Sequence, residues 1–267
     1  MRRSAAFLTV PLMVVTLSGQ QPAPPATAAP PTAAPTGPEV AAAITRLMAN
    51  DARLRDWAQL GRYREQNRAL PKPGAGESRV VFMGDSITDA WPQPRFGDFF
   101  ASHKSYIGRG ISGQTTPQML IRFRPDVIDL NPKAVVILAG TNDIAGNTGL
   151  MTNEDIQNNM MSMAELARAH KIKVILASIT PTGAYHVAPN GVPQTQTRPM
   201  ERIRAINDWM KKYAAAEGHT YLDYFSAMLD QTGMFRTELS GDDLHPNAQG
   251  YAIMAPLAEA AIKQALK

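Results

Sequence analysis

Ser86 is the residue of this chain whose position best suits a nucleophile. It follows an apolar run at residues 80–83, which predicts a buried strand, and Gly84 and Asp85 predict a turn between the two. A serine at the carboxyl end of a strand lies where open α/β sheets bind ligands, and the unpaired N–H groups of a helix start can hold an anion. Attack of this serine on a carbonyl would leave the oxyanion beside those donors. A capping serine in a strand-to-helix turn gives the same local pattern.

A serine hydroxyl needs a base, and His245 is the best candidate. It lies in the turn-rich segment 241–247, shortly before the predicted last helix. Asp242 comes three residues earlier, so a tight turn can bring its carboxylate to the ring nitrogen that faces away from the serine. Asp243 could do the same less comfortably, or it could simply cap the turn. An Asp-x-x-His segment in a loop is also common as a plain turn.

Two further loops begin where predicted strands end. One carries Gly113, whose missing side chain would let a backbone N–H approach a ligand closely. The other carries Asn142, whose side-chain amide can donate a hydrogen bond to an oxyanion. Each loop also reads as an ordinary turn rich in Gly, Asn and Asp. Each of these four turn loops carries a residue type that ester cleavage requires. This coincidence favours the interpretation that the four loops form one active site.

Strand-like and helix-like segments alternate along the folded part of the chain, which predicts a parallel sheet with helices on both faces. Two helices that pack across the domain are expected within residues 40–70, with Trp57 among their apolar positions. Further helices are expected over three segments, with Pro256 bending or interrupting the last of them. The predicted strands are residues 80–83, 106–111, 134–139, 173–178 and 220–223, and the three helical segments are residues 153–170, 199–216 and 247–266.

Four sequence blocks together resemble those of the SGNH (GDSL) hydrolase family, in the same order and over roughly residues 78–250. The resemblance implies an α/β fold, a three-layer α/β/α sandwich with a five-stranded parallel sheet of flavodoxin-like type. The Gly-x-Ser-x-Gly elbow of ordinary α/β-hydrolases is absent around the serine, which separates the two families. The blocks are Gly-Asp-Ser-Ile-Thr at residues 84–88, Ile-Ser-Gly at 111–113, Gly-Thr-Asn-Asp at 140–143 and Asp-x-x-His at 242–245.

The resemblance also implies a role for each block residue. Ser86 would be the nucleophile, His245 the base and Asp242 the group that orients the base. The oxyanion hole would combine the backbone N–H groups of Ser86 and Gly113 with the side-chain amide of Asn142. No metal or cofactor is expected, and the sequence also lacks the His-Glu-x-x-His zinc pattern and the Gly-x-x-x-x-Gly-Lys phosphate loop.

The front of the chain predicts export. Residues 1–18 combine two arginines with a short apolar stretch, as a signal peptide does, although an uncleaved membrane anchor is the alternative. Residues 19–38 are rich in Pro, Ala and Thr and predict an extended linker, so the hydrolase domain is expected over residues 39–267. A periplasmic or secreted protein, with no stable membrane insertion after leader removal, is the expectation. The chain has no cysteine, which fits either compartment.

The expected reaction is hydrolysis of short-chain acyl esters, with O-acetyl groups on carbohydrate or other small esters as substrates. An acyltransferase that passes the acyl group to a sugar hydroxyl, a lysophospholipase-type acylhydrolase and a non-catalytic binding module are the alternatives. Trp91, Tyr185 and His186 are candidate substrate contacts, although core packing explains Trp91 equally well. The formal net charge of +4 includes two arginines of the leader, and no basic run with interleaved aromatic residues predicts nucleic-acid binding. The sequence does not determine the oligomeric state.

Overall fold

The computed structural model describes residues 36–186 and 191–267. The predicted leader and nearly all of the predicted linker therefore lie outside the described residues. Contacts between Cα atoms divide the chain into two units, one ending at Arg46 and the other running from Leu47 to Lys267. The site described below belongs to the second unit. In the described part of the chain, no helix has both the length and the apolar character needed to cross a membrane.

Five parallel strands form one sheet in the order β2-β1-β3-β4-β5. The predicted α/β class and the five-stranded parallel sheet are therefore confirmed. This is the strand order of flavodoxin-like folds. The chain passes from β1 to β2 on one side of β1, and then forms β3, β4 and β5 in turn on the other side. The strands are β1 (Val80–Gly84), β2 (Tyr106–Gly110), β3 (Ala134–Leu138), β4 (Lys173–Ala177) and β5 (Thr220–Leu222).

Helices cover both faces of the sheet, which makes the three layers. The elements are α1 (Gly37–Arg55), α2 (Arg64–Ala69), α3 (Ser86–Ala90), α4 (Phe99–Ser102), α5 (Thr116–Asp126), α6 (Thr141–Ile144), α7 (Asn153–Ala169), α8 (Gln194–Thr197), α9 (Met200–Glu217), α10 (Tyr224–Ala227) and α11 (Ala248–Ala265). Three short 3₁₀ turns lie at Pro94–Phe96, Ile128–Leu130 and Thr237–Leu239.

The two faces of the sheet bury two separate apolar clusters, because successive strand residues point to opposite sides. Val81 and Met83 of β1 belong to the cluster that α5, α7 and α9 cover. Val80 and Phe82 of the same strand belong to the cluster beneath α10 and α11. Strands buried on both faces are uniformly apolar, which is why the sequence marked them so clearly.

Helix α11 continues through Pro256, where the sequence predicted a bend or an interruption. Tyr251 and Met254 before the proline and Ala258 after it are all buried in one cluster against the sheet. Packing on both sides of the proline therefore keeps the helix in one piece despite the lost backbone hydrogen bond.

The sheet places a crevice at the carboxyl ends of β1 and β3. Strand β1 pairs with β2 on one side and with β3 on the other, so the connections after β1 and β3 leave in opposite directions. Ligands of open α/β sheets bind at such a point. Ser86 follows β1 and Asn142 follows β3, so both lie at this crevice.

Candidate active site

Ser86 is the first residue of α3, directly after β1. Asp85 caps this helix by accepting a hydrogen bond from the N–H of Ile87 at 3.0 Å. A Cβ at Gly84 would lie 2.1 Å from Oγ1 of Thr88, so this tight turn excludes any side chain at that position. The turn therefore presents the serine at the crevice with its backbone fixed.

The side chain of Arg122 holds the backbone of the same turn in place. Its guanidinium is fully buried and donates to the carbonyl oxygens of Gly84, at 2.9 Å, and Arg109, at 2.8 Å. It also forms an ion pair with Asp126 at 3.1 Å. One buried cation thus joins the carboxyl ends of β1 and β2 to helix α5, and its charge is compensated there.

Ser86, His245 and Asp242 form a continuous hydrogen-bonded series. The Oγ of Ser86 lies 2.9 Å from Nε2 of His245. The other ring nitrogen of His245, Nδ1, lies 2.6 Å from Oδ2 of Asp242. These residues come from loops 159 positions apart in the chain. This arrangement can pass a proton from the hydroxyl to the imidazole while a carboxylate holds the ring.

Asp242 holds His245 through the backbone as well as through the ring. Its Oδ1 accepts hydrogen bonds from the N–H of His245 at 2.8 Å and of Leu244 at 3.1 Å. Partial burial acts to raise the pKa of Asp242, but the hydrogen bonds from the ring and backbone of His245 outweigh it and hold the pKa well below its usual value. Asp242 is therefore ionised throughout the neutral range, as an orienting carboxylate must be.

The residues predicted for the oxyanion hole lie in two loops at the same crevice. Gly113 has φ +78°, a conformation that favours glycine. Asn142 is buried in the first turn of α6, and its Nδ2 donates to the carbonyl oxygen of Gln114 at 3.0 Å. A side-chain amide has two N–H donors, so this contact leaves Asn142 one more to donate. It also links the loop of Asn142 to that of Gly113.

Arg198 is a residue of this site that the sequence analysis missed. It is only 9 % exposed, and its Nη2 lies 3.5 Å from Oδ1 of Asn142. Its Nη1 donates to Gln194 at 2.8 Å and Thr197 at 3.1 Å, while Nε has no partner among the described residues. Burial lowers the pKa of Arg198, whereas the negative charges of Asp85 and Asp242 raise it. No motif surrounds this arginine in the sequence, so no local signal could have found it.

Two buried carboxyl groups lie beneath the site. Burial raises the pKa of Asp85 to about 6, against the hydrogen bond from Ile87, which lowers it. Burial also raises the pKa of Asp143, although Thr116 donates to its Oδ1 through both its N–H, at 2.9 Å, and its hydroxyl, at 2.5 Å. The carboxylate of Asp85 thus bonds to the start of α3, and that of Asp143 links the loop of Asn142 to the start of α5.

Trp91 lies in the core rather than at the crevice. It is 3 % exposed, and its ring stacks on Phe99 with centroids 4.6 Å apart and meets Phe82 edge to face. Core packing, the alternative that the sequence left open, therefore describes Trp91, and no substrate contact is proposed for it. Aromatic neighbours from β1 and α4 bury this ring more completely than one loop position suggested.

Tyr185 and His186 lie in the loop after β4, and each is tied to another loop. Tyr185 donates its hydroxyl to Asp230 at 2.6 Å. Asp243 is fully buried, accepts a hydrogen bond from the backbone N–H of His186 and lies 3.1 Å from its ring Nδ1. Asp243, which the sequence left as an alternative partner of His245, therefore points away from that ring. It joins the loop of His186 to the loop that carries the site.

Comparisons with known proteins agree with this fold. Residues 82–253 match the model of the GDSL-like Lipase/Acylhydrolase family. The crystal structure of a GDSL-like lipase from Bacteroides thetaiotaomicron is similar with a TM-score of 0.72 and 42 % identity, over 78 % of this chain and 99 % of that one.

Two curated relatives extend the comparison. An acetylxylan esterase of Geobacillus stearothermophilus is 24 % identical over 207 residues, which cover 69 % of this chain and 93 % of the relative. The Bacillus subtilis lipoprotein YqeF is 35 % identical over 133 residues, covering 43 % of this chain. That match spans 55 % of the lipoprotein's own length.

The fold and these similarities define a hydrolase of carboxylic esters. Because the family model matches well over half of the chain, this protein belongs to the GDSL-like Lipase/Acylhydrolase family.

Proposed function

We propose that this protein is a serine esterase that hydrolyses short acyl esters, with O-acetyl groups on carbohydrate as the principal substrates. The observation that carries the proposal is the series from Ser86 through His245 to Asp242, with contacts of 2.9 Å and 2.6 Å. A hydroxyl, an imidazole and an ionised carboxylate in this order are the parts that acyl transfer to serine requires.

In the first half of the reaction, Nε2 of His245 takes the proton of Ser86 as its Oγ attacks the ester carbonyl. The negative charge that develops on the carbonyl oxygen is stabilised by the backbone N–H groups of Ser86 and Gly113 and the amide of Asn142. His245 then protonates the departing alcohol, and the acyl group remains on Ser86 as an ester. Asp242 stabilises the imidazolium during this transfer.

In the second half, a water molecule enters and His245 takes its proton as the water oxygen attacks the acyl-enzyme carbonyl. The same three donors hold the second oxyanion. His245 returns the proton to Oγ of Ser86 as the carboxylic acid leaves. The side chains of His245 and Asp242 are 42 % and 49 % exposed, which supports ready access of water to the acyl-enzyme.

The similarity to an acetylxylan esterase supports an acetylated carbohydrate as the substrate class. The residues around the nucleophile point the same way, because the side chains of Asn142 and Arg198 are polar. A long acyl chain would bury its methylene groups against these polar side chains, which is unfavourable for both.

The test is an acyl-chain series of nitrophenyl esters, from two carbons upward, assayed beside acetylated xylan. We expect kcat/KM to be highest for acetate and acetate to be released from the xylan. Ser86→Ala is expected to abolish turnover, while Ser102→Ala, which changes an exposed serine on α4, serves as the matched control. Preference for long chains would favour a lysophospholipase-type activity. Loss of acid release in favour of an acylated acceptor sugar would identify a transferase.

Export to the periplasm or the medium is part of the proposal. It is supported by the leader-like residues 1–18 and by the similarity to a lipoprotein. Amino-terminal sequencing of the mature protein from culture fractions tests it, and an intact leader in the cytoplasmic fraction would contradict it.

A further inference from the structure

A cleft of about 330 Å³ opens beside Gly113, outside the hydrogen-bonded series described above. Its volume is in the range of small-ligand sites, roughly 300–1,000 Å³. Three loops and the first turn of α5 line it: the loop before α2, the loop between β2 and α5, and the loop after α6. The lining residues that matter below are Trp57, Gln59, Gly113, Gln118, Asn147 and Thr148.

We infer that this cleft binds one sugar unit of the alcohol half of the substrate, with the ring of Trp57 as its platform. The inference rests on the proposed esterase function and adds a binding site to it. Three observations support it. Hydrogen bonds hold both walls of the cleft in place, the lining is polar and uncharged apart from one aromatic ring, and Gly113 of the proposed oxyanion hole belongs to the lining.

The wall that carries Trp57 is held in place by two buried glutamines. Gln118 donates its amide to the carbonyl oxygen of Trp57 at 2.7 Å, and Gln114 donates to that of Ala58 at 2.8 Å. The carboxylate of Asp56 accepts hydrogen bonds from two later N–H groups of the same loop, at 2.7 Å and 2.8 Å. A surface loop with this many internal and external bonds is prearranged, which reduces the cost of binding.

The opposite wall is linked to the oxyanion loops. Nδ2 of Asn147 donates to the carbonyl oxygen of Gly113 at 3.0 Å, and its backbone N–H donates to the carbonyl oxygen of Asn142 at 3.0 Å. The hydroxyl of Thr148 lies 3.0 Å from that of Thr115. Both walls are therefore fixed, and the cleft keeps its shape next to the site.

The lining suits a neutral polyhydroxylated ligand. Trp57 is 41 % exposed, although it is one of the largest apolar side chains, so its ring is available for contact. An aromatic face packs against the C–H groups of a sugar ring, while amides and hydroxyls bind its hydroxyl groups. Among the described residues that line the cleft, none carries a charge. An anionic headgroup would find no counterion there, and an alkyl chain would face amides.

The position of the cleft assigns it to the alcohol half. Gly113 lines the cleft and is also a proposed oxyanion donor, so the cleft adjoins the loop that would hold the ester carbonyl. An acetyl group contributes one methyl beyond that carbonyl and cannot fill about 330 Å³. The remaining part of the ester, the sugar, therefore occupies it.

Binding of unsubstituted xylo-oligosaccharides, measured by calorimetry, tests the cleft without any chemistry. We expect wild-type protein to bind them, Trp57→Ala to weaken binding by about 3- to 10-fold, the size of one aromatic contact, and Trp57→Phe to recover part of it. Leu60→Ala is the matched control, since Leu60 is 38 % exposed in the same loop but does not line the cleft. Equal binding by wild type and Trp57→Ala, or none by either, would overturn the inference.

Kinetics then separate this inference from the proposed function. In Trp57→Ala, KM for acetylated xylo-oligosaccharides should rise several-fold more than KM for ethyl acetate, because the ethanol half of that ester is too small to reach Trp57. Identical changes for the two substrates would overturn the sugar site and leave the esterase intact. A wild-type protein that binds the oligosaccharide but cleaves neither ester would refute the esterase and leave the sugar site standing.

Discussion

Asp242 binds His245 at both ends of the carboxylate, with Oδ2 on the ring Nδ1 at 2.6 Å and Oδ1 on the backbone N–H at 2.8 Å. One side chain therefore sets the path of the loop and the orientation of the imidazole together. The charge stays on Asp242 because these hydrogen bonds keep its pKa low.

Asp242→Asn should consequently reduce kcat by roughly 10³- to 10⁴-fold, because the amide favours the wrong tautomer of His245, while KM changes little. Steady-state kinetics on nitrophenyl acetate measure both constants. Asp208→Asn, an exposed position on α9, is the control for loss of one negative charge. Near-normal kcat in Asp242→Asn would show that another group orients the ring.

Asp85 makes stability depend on pH. Burial raises its pKa from 3.8 to about 6, so the folded protein binds this proton more tightly than the unfolded chain. Proton binding to Asp85 therefore stabilises the folded protein. This contribution to the free energy of unfolding is complete below about pH 4 and is lost as pH rises through about 6. Replacing Asp85 with Asn removes the ionisation and keeps an oxygen that can accept from Ile87.

Above about pH 6, Asp85→Asn should therefore be more stable than wild type by up to roughly 3 kcal/mol, and this difference should vanish toward about pH 4. Urea unfolding across that range, followed by tryptophan fluorescence, gives both free energies of unfolding. A difference that stays constant with pH would mean that Asp85 does not titrate in this window. Asp208→Asn again provides the exposed comparison.

Asn142→Ala should lower kcat by roughly 10²- to 10³-fold with a small effect on KM, as expected for loss of one donor to an oxyanion. Kinetics with nitrophenyl acetate measure this, and Asn158→Ala, exposed on α7, is the matched control. A large rise in KM with unchanged kcat would instead assign Asn142 to ground-state binding.

Asp243→Asn tests the link between the loop of His186 and the site. The amide oxygen can still accept the backbone N–H of His186, but as a neutral rather than a charged acceptor, so this hydrogen bond weakens by about 1 kcal/mol. Urea unfolding measures the loss. His186→Ala, which removes the ring but keeps the backbone N–H, should cost clearly less. Equal losses in the two variants would show that the ring contact stabilises the link as much as the charge on Asp243 does.

The strands were predictable to within one residue at each end, because apolar runs such as those of β1 and β3 between turn residues leave few alternatives. The hydrogen bond between Asp242 and His245 follows from their spacing within one turn, while their roles in catalysis stay a prediction. Trp91 could not be assigned, since the rings that bury it come from β1 and α4. Arg198 reaches the crevice, and Trp57 the cleft beside Gly113, from segments that carry no motif, so tertiary structure alone brings them there.

The shallow setting of His245 and Asp242, each with more than two fifths of its side chain open to solvent, bears on the size of molecule that can react. An ester attached midway along a polymer can reach Oγ of Ser86 from the side, with no need for a free chain end to thread inward. For the acetylated polysaccharide proposed as substrate, that openness favours cleavage at internal positions, and chain length should hardly limit turnover.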